Sequence, residues 1–362
     1  MHIHGGNIYR ASQTYGIKIE DILDYSANIN PFGLPEDLKD ILISGFDNLV
    51  NYPDPEYTQL KKEISRYISV AEERIIPGNG ASEIIYLLLE VLPLKRILIP
   101  APSFNEYTQA AHAAGVKTDY FELGEANSFK LSVDELLDKV KSGYDALLLC
   151  NPNNPTSTLL SREELYKILR FTSSRGIIVI LDEAFIELTV GGNSNSMVDA
   201  LEEFNNLFII RAFTKLFSIP GLRLGYGLGN IELVKAMWKR KMPWSVNSLA
   251  CSAAQILNNC GEYLDKTARW LAVEKDRFFK ELSDIKGLKV FEPQTNFILI
   301  KITLASLNVG ELKEKMARLG ILIREAGNFS FLNEKFFRIA IKDRKSNNKF
   351  IAALREIMGI FV

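Results

Sequence analysis

Lys215 opens the densest run of chemistry-bearing residues in the chain, Lys215-x4-Pro220-Gly221-x-Arg223-x-Gly225, within residues 207–229. A lysine amine is a nucleophile toward carbonyl carbon, and the planar fork of an arginine makes paired hydrogen bonds to phosphate or carboxylate. Upstream, Pro77-Gly78-Asn79-Gly80-Ala81-Ser82-Glu83 runs straight into an apolar stretch, residues 84–92. Glycines let backbone approach a ligand, and the free N–H groups of a helix start attract phosphate. Two further apolar runs end in polar residues: residues 145–150 lead into Asn151-Pro152-Asn153-Asn154-Pro155-Thr156, and residues 177–181 into Asp182-Glu183. Asn154, Asp182 and Lys215 each fall just beyond the C-terminal end of an expected strand. That is the edge where open α/β sheets bind ligands. Taken singly, Lys215 is one of many solvated lysines, Asn-Pro and Pro-Gly are ordinary turn chemistry, and Asp182 is a cap or turn residue.

The string around Lys215 resembles the cofactor-lysine segment of fold-type-I pyridoxal-phosphate (PLP) enzymes, the aspartate aminotransferase superfamily. The resemblance implies pyridoxal 5'-phosphate as cofactor, with Lys215 as the catalytic amine that condenses with its aldehyde. It places Thr214 and Arg223 with the cofactor, Arg223 at the phosphate, and a phosphate cup at Gly80, Ala81 and Ser82. Phe104, in Pro102-Ser103-Phe104, would stack on the pyridine ring, and the Asn154 amide would donate to the phenolic oxygen. Asp182 would sit against the pyridine nitrogen and keep it protonated, so that the ring accepts the electrons left on Cα. Many of these enzymes carry Tyr three residues after the aspartate; Phe185 stands there instead and removes a donor. Tyr52, in Asn51-Tyr52-Pro53-Asp54, resembles the tyrosine that reaches the phosphate of a neighbouring subunit, which implies a homodimer with shared active sites. By itself Tyr52 reads equally well as a buried loop tyrosine.

Two strings near the start, His4-Gly5-Gly6-Asn7 and residues 24–33, resemble the opening of threonine-phosphate decarboxylases. These are PLP enzymes of cobalamin biosynthesis, related to the histidinol-phosphate aminotransferases of histidine biosynthesis. By that resemblance His4, Gly5, Asn28 and Asn154 line the substrate site. Arg338, in Phe337-Arg338-Ile339, resembles the superfamily's carboxylate-binding arginine, and Arg324 the second substrate arginine. Two forks suit a substrate with a carboxylate at one end and a phosphate at the other. On residue type alone the arm strings are turns and the arginines are solvated charges. The expected reaction is decarboxylation of O-phospho-L-threonine to (R)-1-aminopropan-2-yl phosphate. The alternative is amino-group transfer between histidinol phosphate and 2-oxoglutarate or glutamate. No residue type states which Cα bond breaks.

The elements that must hold these residues alternate along the chain. Strands are expected at residues 96–100, 116–123, 145–150, 177–181 and 207–211, with a second strand of the lysine segment starting at Arg223. Helices are expected at 84–92, 132–140 and 231–241, with Ser161-x-x-Glu164 opening one more as a capping box. Tyr57, Leu60, Ile64, Tyr67 and Ile68 recur at helical spacing. This alternation requires a mostly parallel α/β sheet. A long helical tract at 248–282 leads to a smaller α+β part, with strands at 288–291, 296–302, 321–324 and 336–341 and helices at 310–319 and 346–358. The expected division is an N-terminal arm (1–44), a large PLP-binding domain (45–243) and a small C-terminal domain (244–362).

The formal charge of −1 among 362 residues announces no nucleic-acid or anionic-membrane partner. Cys150, Cys251 and Cys260 make neither a disulfide framework nor a zinc spacing, which fits a reducing cytoplasm. No metal site is expected. No apolar run reaches the length of a membrane span.

Overall fold

The structure is a computed structural model that describes residues 5–360; His4 lies outside them. Thirteen strands are described, in chain order: β1 (Leu23–Asp24), β2 (Ile75–Asn79), β3 (Arg96–Ala101), β4 (Lys117–Glu122), β5 (Ala146–Cys150), β6 (Ile178–Asp182), β7 (Leu207–Ala212), β8 (Leu224–Leu228), β9 (Leu288–Val290), β10 (Phe297–Ile302), β11 (Ile321–Leu322), β12 (Arg324–Glu325) and β13 (Phe336–Ala340). A seven-stranded sheet has the order β2-β8-β7-β6-β5-β3-β4, in which β8 alone runs against its neighbours. Its central strands are apolar almost throughout because helices cover both faces. A four-stranded antiparallel sheet, β12-β13-β10-β9, forms the smaller C-terminal part around its own core. This is the α/β architecture expected, a mostly parallel sheet plus a smaller α+β part.

Several local expectations change. The glycine-rich run at 77–83 is divided between strand and helix: β2 continues to Asn79, and the helix begins at once, as Gly80–Val91. Pro77 can sit in a strand because β2 lies at the sheet edge. Lys215 belongs to a one-turn helix, Phe213–Leu216, between β7 and β8. The long helical tract breaks into Ser248–Ala253, a 3-10 turn and Gly261–Ser283 around Asn259 and Cys260. The capping box at Ser161 forms with both of its hydrogen bonds.

The expected strand at 321–324 splits in two. β11 pairs in parallel with β1 from the N-terminal arm, while β12 pairs with β13. The arm thereby becomes part of the small core. Tyr25 N donates to Leu322 O at 2.8 Å, and Ala340 N donates to Tyr25 O at 2.8 Å. The Tyr25 ring is fully buried and its hydroxyl donates to Asn347. This weave fixes residues 24–28 beside β13, where Arg338 lies.

Candidate active site

The C-terminal edge of the large sheet collects the polar strand ends. β5 runs out into Asn151–Asn154, β6 stops at Asp182, and β7 passes into the turn holding Lys215. Because β8 is antiparallel, Arg223 just before its start reaches the same edge, as does the helix start after β2. A cavity of about 420 Å³ opens there. Of the expected cofactor residues, Ala81, Ser82, Phe104, Asp182, Thr214 and Arg223 line it, together with Lys215. Of the expected substrate residues, Gly5, Asn28, Asn154, Arg324 and Arg338 do so. Residues up to 333 positions apart in sequence (Gly5 and Arg338) thus meet at one cavity.

Lys215 is half-buried. Desolvation, then the charges of Arg223 and Arg338, bring its amine down to about 8. Arg223 holds a left-handed backbone (φ +61°) that an L residue rarely adopts. Its guanidinium lies against Gly80, whose own φ of +77° is one that favours glycine at that helix start. The first N–H groups of a helix have no partner within it, so Arg223 and the Gly80–Val91 helix start form a donor-rich cup.

Asp182 is buried, and desolvation pushes its carboxyl upward. Two donors oppose that shift: Tyr107 OH at 2.6 Å to Oδ2, and Ala184 N at 2.9 Å to Oδ1. Tyr107 was not among the expected site residues, although it lies three positions after Phe104 in the same string. Its ring edge meets Phe104, with centroids 5.5 Å apart.

The two arginines expected to bind substrate, Arg324 and Arg338, stand opposite each other in the β12–β13 register. Arg338 is buried; Nη1 donates to Asn154 Oδ1 and Nη2 to Ser26 O at 2.8 Å, while its Nε has no partner among the described residues. Desolvation and the like charge of Arg324 bring Arg338 down to about 9. Arg324 donates to Glu325 O at 2.6 Å and to Asn328 Oδ1 at 2.9 Å. Asn28 is buried with both amide atoms unpartnered among the described residues. Ser26, also absent from the expected set, accepts from Arg338 and from Gly6 N at 2.7 Å. A Cβ on Gly5 would strike the Ser26 carbonyl, which is why the arm needs glycine there.

Two expected positions do not line the cavity. Gly80 lies behind Arg223. Tyr52 is 80% exposed and stacks on Trp244, with centroids 4.7 Å apart. Phe185 lines the cavity and packs edge-on against Phe297 at 5.1 Å, offering no hydrogen-bond donor. No cluster of ligating side chains suited to a metal occurs among the described residues.

Comparison with known proteins agrees with this arrangement. Residues 20–354 match the family described as aminotransferase class I and II. The chain is 34% identical over 356 residues to a threonine-phosphate decarboxylase of Salmonella typhimurium, covering 98% of this chain and 96% of that protein. It is 34% identical over 340 residues to a histidinol-phosphate aminotransferase of Caldanaerobacter subterraneus subsp. tengcongensis, covering 92% of each. The crystal structure of a histidinol-phosphate aminotransferase from Clostridium acetobutylicum superposes with a TM-score of 0.87 at 35% identity, over 94% of this chain and 100% of that one. A family match over nearly the whole chain, and a lysine, an aspartate and an arginine gathered at one sheet edge, lead to the same place: the chain belongs to the class I and II aminotransferase family and is a pyridoxal-phosphate-dependent enzyme.

Proposed function

We propose that this enzyme decarboxylates O-phospho-L-threonine to (R)-1-aminopropan-2-yl phosphate. The observation that carries the reading is the N-terminal arm, which brings Gly5 and Asn28, from the strings that resemble the decarboxylases, to the Lys215 cavity beside the buried pair Arg324 and Arg338. Like charges set opposite on neighbouring strands destabilise a sheet, and both guanidiniums are desolvated. A small substrate with a carboxylate and a phosphate answers both charges. The unpartnered amide of Asn28 and Nε of Arg338 supply further donors in the same place. Gly5, seated on Ser26, lines that end of the cavity; His4 joins the proposed substrate residues on resemblance alone.

The residues present fit the cofactor. Arg223, Thr214 and the helix start at Gly80, Ala81 and Ser82 would hold its phosphate, Phe104 would cover a ring face, and Asp182 would meet the ring nitrogen as an anion. Asn154 would donate to the phenolic oxygen through its amide nitrogen, since its carbonyl oxygen is engaged by Arg338. When bound, pyridoxal phosphate supplies the carbonyl that takes up the substrate amine and the sink for electrons left at Cα. Lys215, with its amine lowered to about 8, keeps a useful neutral fraction near neutral pH. In that form it would serve as nucleophile toward the cofactor carbonyl; displaced by the substrate amine and protonated, it would give its proton to Cα once carbon dioxide has left and become neutral again. The arginine forks orient the substrate, and the apolar wall of Phe104, Phe185 and Phe329 limits water.

A homodimer with shared sites belongs to the same proposal. Tyr52 points to solvent within an exposed apolar surface that includes Phe46, Leu49, Val50, Met242 and Trp244, the kind of patch that marks an interface. A cytoplasmic location fits the three free cysteines.

A second reading, histidinol-phosphate aminotransferase activity, is favoured by the likeness to the Clostridium acetobutylicum structure. Two arginines do not separate the readings, because glutamate also brings two anionic groups. The deciding experiment incubates PLP-loaded protein with O-phospho-L-threonine, without any keto acid, and follows carbon dioxide. Steady release over many turnovers is expected. No release, with glutamate formed from histidinol phosphate and 2-oxoglutarate, would overturn decarboxylation in favour of the second reading.

A further inference from the structure

We infer that Tyr107 is a positioning residue that keeps Asp182 anionic and fixes Phe104, so that one buried side chain sets two of the contacts the cofactor ring would meet. The inference rests on the proposed placement of Asp182 and Phe104 against that ring. Tyr107 is fully buried at the start of the Glu106–Ala113 helix, under the cavity that it also helps to line. Its hydroxyl gives Asp182 Oδ2 a hydrogen bond of 2.6 Å, and its ring meets Phe104 edge-on at 5.5 Å and 84°. The only other donor that the described residues give the Asp182 carboxylate is the backbone N–H of Ala184 on Oδ1, so Oδ2 depends on Tyr107.

The surroundings make that donor consequential. Asp182 sits in an apolar, desolvated position, and burial alone favours its neutral, protonated form. Cys150, its register partner on β5, is a neutral thiol whose pKa burial pushes up to about 12, and it gives its own hydrogen bond to Pro152 O at 3.3 Å. Lys215, Arg223 and Arg338 line the same cavity, yet none has a hydrogen bond or ion pair to Asp182 among the described contacts. Burial and the adjacent Asp182 charge hold Tyr107 itself far above the ordinary phenol range, so it remains a donor at every working pH. A hydrogen bond to a charged group is strong enough to move a carboxyl by roughly 1–2 pKa units. Without it, Asp182 would shift toward the neutral acid and lose its hold on a protonated ring nitrogen.

The test uses the PLP-loaded protein and three variants: Tyr107→Phe, Asp182→Asn and the double variant. The readouts are the pH midpoint of the bound cofactor's visible absorbance, the dissociation constant for pyridoxal phosphate by fluorescence, and the melting temperature. An anionic Asp182 makes the ring more electron-withdrawing and keeps that midpoint low, so Tyr107→Phe should raise it in the same direction as Asp182→Asn, by up to about 1–2 units. Cofactor affinity should fall about tenfold or more in both single variants, and the double variant should be no worse than Asp182→Asn. A midpoint and affinity in Tyr107→Phe equal to wild type, with Asp182→Asn displaced, would overturn the positioning role and leave the site assignment standing. If Asp182→Asn is also unchanged, the placement of Asp182 falls and the inference falls with it. A changed melting temperature alone, with midpoint and affinity fixed, would assign Tyr107 to packing only and overturn the proposal.

Discussion

Lys215 shows how a single side chain is tuned by where the chain puts it. Desolvated beside two guanidiniums, its amine drops from 10.5 to about 8. The neutral amine is the nucleophile, so the sign is direct: capture of pyridoxal phosphate by apo-protein should accelerate as pH rises, with a midpoint near 8. Below that, each pH unit should slow capture roughly tenfold. Stopped-flow absorbance measures this, and a midpoint at the ordinary lysine value would remove Lys215 from its role. In Lys215→Ala, borohydride treatment of cofactor-loaded protein should leave no covalent adduct by mass spectrometry. Arg338 offers a second residue-scale prediction. Lysine keeps the charge but not the fork, so Arg338→Lys should raise KM for O-phospho-L-threonine by about 10–100-fold, the range expected for hydrogen bonds to a charged group. An unchanged KM would place the substrate's anions elsewhere.

Between elements, the fit of the Gly80–Val91 helix on β8 matters most for the phosphate cup. A Cβ on Gly225 would come within 2.5 Å of Ala81 N and 2.7 Å of Gly80 C. Gly225→Ala should therefore push the helix start outward, destabilising the fold by about 1–3 kcal/mol and weakening cofactor phosphate binding. Urea titration and a cofactor dissociation constant check both, and a variant with wild-type values in each would show that the cup is not built on this contact. The same region shows what could be read from the sequence. Asp182 was legible because a buried parallel strand reads as an apolar run whose first polar residue marks the ligand edge, whereas Asn154 and Lys215, a few residues past such run ends, were singled out by their resemblance to family motifs. Tyr107 and Ser26 were not, since their partners Asp182 and Arg338 lie 75 and 312 positions away. No local pattern records such contacts. The split of residues 321–324 between β11 and β12 was hidden for the same reason: its cause is the arm, which supplies the partner strand from the far end of the chain.

At the scale of the whole molecule, the site opens between the two sheets while a separate surface stays apolar and exposed. Val50 is 87% exposed and Tyr52, packed on Trp244, 80%, and Phe46 and Leu49 are exposed as well. Leaving such side chains in water forgoes about 25 cal/mol for each Å² that an interface would cover, and stable interfaces bury about 1,200–2,000 Å² in total. If a second copy covers this face, Tyr52 would be carried toward the partner's cofactor phosphate, and cofactor retention and association would be linked. The double substitution Phe46→Asp and Val50→Asp should then yield monomers by sedimentation velocity at concentrations where the wild-type chain is dimeric. It should also loosen pyridoxal phosphate by about tenfold or more, since binding to the assembled state stabilises it by mass action. Tyr52→Phe should loosen the cofactor without dissociating the dimer, because only the hydroxyl is lost and the ring still stacks on Trp244. A wild-type chain that sediments as a monomer with full cofactor occupancy would refute the shared site, while the assignment of Lys215, Asp182 and Arg223, which come from one chain, would be unaffected.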